Sequence, residues 1–156
     1  MNLTKFTQKS IEATQMCEKI AYEYGNQQID EEHLIYSLLS VEDSLILRLI
    51  EKMGIGTDLF RNRVEELINK LPKVSGGQLY ISQDLNKVLV NAEDEAKRMG
   101  DEYVSVEHIF LGLLEKMNRA VKGLFTAYGI TRDKFLTALA AVRGNKRVQT
   151  DNPEDT

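Results

Sequence analysis

Residues 25–39, GNQQIDEEHLIYSLL, recur as residues 100–114, GDEYVSVEHIFLGLL, with no insertion or deletion. A shift of 75 residues superposes Glu32-His33 on Glu107-His108 and Leu38-Leu39 on Leu113-Leu114. It also matches Gln8 to Gln83, Glu18 to Glu93, Ala21 to Ala96, Gly25 to Gly100, Leu49 to Leu124, Gly54-Ile55 to Gly129-Ile130, Asp58 to Asp133 and Phe60 to Phe135. A repeat at fixed period constrains the fold more than any single motif, because each copy has to be one folding unit presenting the same face to the core.

Apolar residues recur at helical rather than alternating spacing, and every break carries helix-cap chemistry, so strands have almost no support. Thr7 caps a helix with Ile11, Thr14, Cys17, Ala21 and Tyr24 on one stripe, stopped by Gly25. Asp30 caps a second with Leu34, Leu38 and Val41 inward. Asp43 caps a third running through Leu45, Ile46, Leu49, Ile50 and Met53 to Gly54. Thr57 opens a fourth with Phe60, Val64, Leu67, Ile68 and Leu71, closed by Pro72. After the linker PKVSGGQLYI the order repeats. Ser82 caps Leu85, Val88, Leu89, Ala92, Ala96 and Met99; Ser105 caps Ile109, Leu113 and Leu114. A seventh helix carries Val121, Leu124, Phe125 and Tyr128, and Thr131 caps an eighth with Phe135, Leu139 and Val142. The expected fold is all-α: two pseudo-twofold-related four-helix repeats, residues 1–71 and 82–143 around the linker 72–81, packed as one eight-helix domain over 1–143. Residues 144–156 lose apolar period and read as a polar linker toward a further domain.

Composition narrows the function. With 156 residues, 42% hydrophobic and 28% charged, the chain can bury a real core. The net charge of -4 divides into about -3 for residues 1–75 (9 basic, 12 acidic) and about -1 for 76–156 (11 basic, 12 acidic). Neither half offers a basic surface to phosphates, which argues against nucleic acid. The N-terminus lacks a signal-peptide core, and the densest apolar run, Leu45-Ile46-Leu47, stops at Arg48, so no membrane role and a soluble, cytoplasmic location are expected. Cys17, the single cysteine, lies on the first helix's apolar stripe and reads as a core residue of a reducing compartment.

No catalytic signature appears: there is no GxxxxGK[ST] loop, no GxGxxG after a strand, no GxSxG and no HExxH. Asp30-Glu31-Glu32 opens no calcium loop, since the sixth position is Ile35 rather than Gly. His33 and His108, with Cys17 on another helix, lack the ligand pairing of a metal site, so no metal is expected and the histidines read as half-buried helix-start residues. Glu32 and Glu107 lie in first helical turns, where the helix dipole stabilises a carboxylate by about 0.3–1 kcal/mol. Either that suffices to explain them, or they form twin polar sites with Thr7 and Ser82 for a cationic or hydrogen-bond-donating ligand.

The twin segments, with their glycine, cap, Glu-His and dileucine, resemble over nearly the whole chain the N-terminal repeat domain of the Clp family of AAA+ unfoldases. LPKVSGG, ISQDLNKVL and VRGNKRVQTDNPEDT look like its ClpB-type branch, the protein disaggregases. The resemblance implies a non-catalytic module that engages unfolded or aggregated polypeptide and passes it to the pore of a hexameric ATPase ring, with ATP and Mg bound beyond Thr156. It also implies substrate-handling roles for Thr7, Asp101 and Glu107, and a groove whose positions Asn91, Glu95 and His108 make it more polar than leucines would. The similar ClpC-type branch implies an alternative, a phosphoarginine reader or adaptor-docking domain working with a protease, in which Thr7 pairs with Glu32 and Ser82 with Glu107. Carboxylates accept a guanidinium in a bidentate fork, but glutamates alone select no phosphate.

Overall fold

The computed structural model describes residues 3–144, 148, 149 and 151. Eight helices form where the spacing predicts them: α1 Gln8–Glu23, α2 Glu31–Ser40, α3 Leu45–Lys52, α4 Thr57–Asn69, α5 Gln83–Arg98, α6 Val106–Glu115, α7 Arg119–Tyr128 and α8 Arg132–Arg143. Short polar side chains close most of their N-termini: Thr7, Ser82, Asn118 and Thr131 each accept from the backbone N–H three residues on. For α3 the cap is Ser44, not Asp43. Asp43 occupies the left-handed region at φ 54°, turning the chain so that Ser44 reaches the helix start.

The second helix of each repeat is the centre of the packing. From Val106 to Leu113 every residue of α6 is buried, and α2 is buried at Glu31 through Ile35 and at Ser37, Leu38 and Leu39. Helices enclosed on all sides lose the one-sided stripe of a surface helix, and for that reason Ile35 and Phe110 escape a reading based on amphipathic spacing. Phe110 stacks on Phe125 and Phe135 with centroids 5.5 and 4.5 Å apart, and Phe60 of α4 meets Phe125 and Tyr128 of α7, tying the two repeats together. On α8 the inward residues are Phe135, Ala138 and Leu139, whereas Val142 is 47% exposed, since the helix turns that position to its outer face.

The linker holds a feature that helical spacing does not show. Residues 80–81 form β2, which pairs in parallel with β1, Gln28–Ile29, in the register Gln28 to Tyr80 and Ile29 to Ile81. A parallel bridge also joins Phe6 to Val104. Under the 75-residue shift Phe6 is the counterpart of Ile81, and Val104 of Ile29. The two pairings are therefore the same pairing made twice, and each crosses the repeat boundary. The segment entering the first helix of one repeat lies along the segment entering the second helix of the other.

Close approach of α5 and α6 rests on Gly112. A Cβ there would stand 2.5 Å from the Val88 carbonyl oxygen and 2.8 Å from the Ala92 nitrogen, both backbone atoms that cannot swing away. Its counterpart in α2 is Ser37, whose hydroxyl donates to the Ala13 carbonyl, so α1 and α2 leave room that α5 and α6 do not. Gly112→Ala is expected to cost about 1–3 kcal/mol in urea denaturation despite the better helix propensity of alanine. Unchanged stability would show that α5 can move outward freely.

Candidate functional site

Each second-helix start is built around its histidine. The Asp30 and Ser105 backbone N–H groups donate to Nδ1 of His33 and His108, each at 2.9 Å. Nδ1 is therefore the acceptor, the ring proton sits on Nε2, and that N–H donates to Asn26 Oδ1 (3.0 Å) in one repeat and Asp101 Oδ2 (2.6 Å) in the other. Both rings are fully buried rather than half-buried, because the histidine replaces the usual Glu or Gln of a capping box and points its far nitrogen into the interior. Burial lowers the His33 pKa to about 4.

In the second repeat this frame carries charge. Asp101 pairs with Arg143 at the end of α8, and Arg143 also lies 3.7 Å from Glu107, whose other oxygen accepts from the Ser105 hydroxyl. Burial alone would raise the Asp101 carboxyl, but hydrogen bonds from Arg143, the Val148 N–H and His108 outweigh it and hold the group below the usual carboxylate range. Thr7 belongs to the same region. Its N–H donates to the Val104 carbonyl at 2.9 Å, and Ser10, bonded to Thr7 Oγ1 at 2.8 Å, donates to that carbonyl as well.

The structure thus joins Asp101 to Glu107 through Arg143 and brings Thr7 against Val104 of the same turn. All three are buried, Asp101 with its Oδ1 bonded by the Val148 N–H. Of the polar groove positions, Glu95 and His108 are interior and Asn91 is half-buried. Glu95 sits in a two-pronged ion pair with Arg132, both bonds 2.8 Å, and that guanidinium holds its carboxyl below the usual range. A carboxylate so close to two arginines, Arg132 and Arg98, stays inside because it is paired.

The crossed pairing also redistributes the twin polar positions. Ser82 donates to Asp30 Oδ1 at 3.0 Å, so it serves the start of α2, while Thr7 serves the turn before α6. Each first-helix cap thus bonds the segment entering the second helix of the opposite repeat, rather than that of its own. Glu32 Oε1 accepts from the Asn118 side chain (3.2 Å) and Glu31 Oε1 from the Asn118 backbone N–H (2.8 Å). Burial raises both carboxyls, Glu31 to about 7. Arg143, Asn118 and Glu31 were not legible as site residues: Arg143 reads as an ordinary last-turn cation, and the other two act across the repeat boundary.

Among the described residues, the carboxylates of Asp30, Glu31 and Asp84 have oxygens within 4.8 Å of one another. Asp30 already accepts from Ser82 and the Glu31 N–H, and Glu31 from Asn118, so hydrogen bonds account for the cluster. Cys17 is buried and its thiol is pushed up to about 12 by desolvation, which leaves it inert. An apolar cleft of about 300 Å³ opens between α1, α5 and β2, lined by Cys17, Ile29, Leu34, Leu79, Leu85 and Leu89. Tyr80 and Ile81 on its lip and Val90 beyond are 51%, 41% and 50% exposed. No helix among the described residues is long and apolar enough to cross a membrane.

Three comparisons bear on this arrangement. A family model described as the Clp repeat N-terminal domain matches residues 5–128. The chain is 42% identical to a ClpB chaperone of Nitratidesulfovibrio vulgaris over 100% of its own length and 19% of that protein's, so it spans about a fifth of this relative. The crystal structure of the Hsp104 N-terminal domain from Candida albicans has the same fold, with a TM-score of 0.81 at 22% identity, covering 94% of this chain and 97% of that one. A ClpV N-domain in complex with a VipB peptide also has it, with a TM-score of 0.70 at 18% identity and 94% of both chains covered.

Glu31 and His33 at the start of α2 act in opposite senses. Glu31, raised above its usual 4.5, contributes stability that is full below pH 4.5 and is lost as the pH rises through about 7. His33, lowered from 6.5, contributes stability above pH 6.5 that is lost as the pH falls through about 4. Glu31→Gln removes the first while keeping an acceptor for Asn118. Its stability relative to the parent chain should rise by about 1–2 kcal/mol between pH 4.5 and 8, measured by urea denaturation across that range. A difference independent of pH would mean that folding leaves the Glu31 carboxyl unshifted.

Proposed function

The chain belongs to the Clp repeat N-terminal domain family, and from that membership we propose that it is the substrate-binding N-terminal domain of an ATP-dependent protein disaggregase. In this reading it engages unfolded or aggregated polypeptide and presents it to the threading ring of a hexameric parent. The domain itself carries out no catalysis, and ATP and Mg act in the parent's ATPase modules. The observation that carries the reading is the open apolar cleft beside β2, with the exposed side chains of Tyr80, Ile81 and Val90 around it, on a chain akin throughout its length to one end of a ClpB chaperone.

A cleft of about 300 Å³ accepts one or two apolar side chains. Engagement of that size is weak and short-lived, and a site that hands a chain onward needs a fast off-rate. Thr7, Asp101 and Glu107 serve this function by holding the turn before α6 against the start of α1, so that the surface above them keeps its shape.

The alternative, a phosphoarginine-reading or adaptor-docking domain of a ClpC-type unfoldase, draws less support from the geometry. A guanidinium needs free carboxylate oxygens, and here Glu32 accepts from Asn118 while Glu107 faces Arg143 and Ser105.

In the full-length parent, Thr7→Ala, Asp101→Ala and Glu107→Ala are each expected to slow reactivation of a heat-aggregated model protein severalfold. Asn26→Ala, at the position equivalent to Asp101, serves as the milder control. Unchanged reactivation in all three would remove them from the site, and saturable phosphoarginine binding abolished by Glu32→Ala would favour the alternative.

A further inference from the structure

The surface above Asp101 and Thr7 is already in use by the chain itself. The Val148 N–H donates to Asp101 Oδ1 at 2.8 Å, and the Val148 carbonyl accepts from the N–H groups of both Glu102 (2.8 Å) and Tyr103 (3.0 Å). Three residues on, the Asp151 carbonyl accepts from the N–H of Gln8, the first residue of α1, at 2.6 Å. The Val148 side chain is 3% exposed, although this part of the sequence has no apolar period. Val148 and Asp151 are thus held by their main-chain groups, and the Val148 side chain is buried.

We propose that the Asp101–Tyr103 turn and the first amide of α1 form a site that reads the main chain of an extended polypeptide, filled in cis by Val148 and Asp151. The donors and the acceptor of this site meet peptide groups, which every polypeptide carries. Main-chain hydrogen bonds supply affinity irrespective of sequence, and the buried position of the Val148 side chain supplies a mild preference, as when an extended peptide is added to exposed backbone groups. This is the chemistry required of a module that meets unfolded chains of every composition. The fit is a short segment with a small apolar residue at its first position and a carbonyl acceptor at its fourth.

The frame behind the site explains why these groups are held ready. Asp101 Oδ2 is fixed by His108 and the carboxylate is paired with Arg143, so Oδ1 is presented in one orientation. Arg143 ends α8, and the segment carrying Val148 follows five residues later, so occupancy of the site is linked to the path of the chain as it leaves the domain. A foreign polypeptide has to displace that segment, and the two compete for the same amides.

The inference rests on the reading that the domain engages unfolded polypeptide, and one experiment separates the two. Reduced, carboxymethylated α-lactalbumin, which cannot fold, serves as probe for the 156-residue chain and its Val148→Asp and Val148→Gly variants, with circular dichroism as the check on folding. Val148→Asp is expected to bind the probe at least about fivefold more tightly, with Val148→Gly between. Amide hydrogen exchange at Gln8, Glu102 and Tyr103 should quicken in both variants and slow again when the probe binds. Equal binding by all three chains, or amides that stay unprotected under bound probe, would overturn the main-chain site while leaving polypeptide engagement intact. Absence of binding in every chain would overturn both.

Discussion

The crossed parallel pairing of Phe6 with Val104 and of Ile29 with Ile81 is the contact on which the remaining geometry depends. Each repeat lends the segment before its first helix to the partner repeat, and the cap residue that follows is delivered there with it. Thr7 consequently stands against the turn before α6, and Ser82 against Asp30 at the start of α2. Two residues in each pairing make few hydrogen bonds, yet they fix which helix start meets which. The buried second helices, α2 and α6, then each pack against the first helix of the other repeat, with their capping histidines in equivalent frames.

Equivalence of frame does not mean equivalence of charge. Where the first repeat has Asn26 and Ile68, the second has Asp101 and Arg143. The changes belong together. A carboxylate at position 101 would be costly in the interior without a cation, and an arginine at 143 would be costly without a carboxylate. Asn26, being neutral, bonds His33 and the Pro72 carbonyl and needs no counter-charge. The charged copy is also the one that holds Val148, so the two repeats share a scaffold while differing in what they can bind.

Much of the fold was legible in the sequence because its signals are local. Caps at Thr7, Ser82, Ser105 and Thr131, the glycine stops at Gly25 and Gly100, and helical spacing of apolar residues all act within a few residues. Long-range features were not. Nothing within the segment Leu79 to Ile81 marks it as a strand partner of residue 29, and Glu31, Glu32 and His33 look like a solvated helix start although all three are buried. That Thr7 and Ser82 reach across to the opposite repeat follows from the crossing and could not be seen without it. At the candidate site, Glu107 was marked by its place in a first helical turn and Asp101 by a resemblance, whereas Arg143, which joins them, lies 36 residues beyond Glu107 with only the signature of a helix-ending cation. The docking of Val148 was hidden by its polar neighbours.

Native-state amide hydrogen exchange at Thr7, Val104, Tyr80 and Ser82 tests the crossed arrangement most directly. These are the four backbone donors of the two crossed pairings: to Val104 and Lys5 in one, and to Gln27 and Ile29 in the other. If the repeats are interlocked, all four should exchange only through global unfolding, with the same dependence on denaturant and the same free energy as the core of α6. Exchange of one pair through a local opening, while the other pair and the α6 core stay protected, would show that the repeats are separable units and would contradict the account.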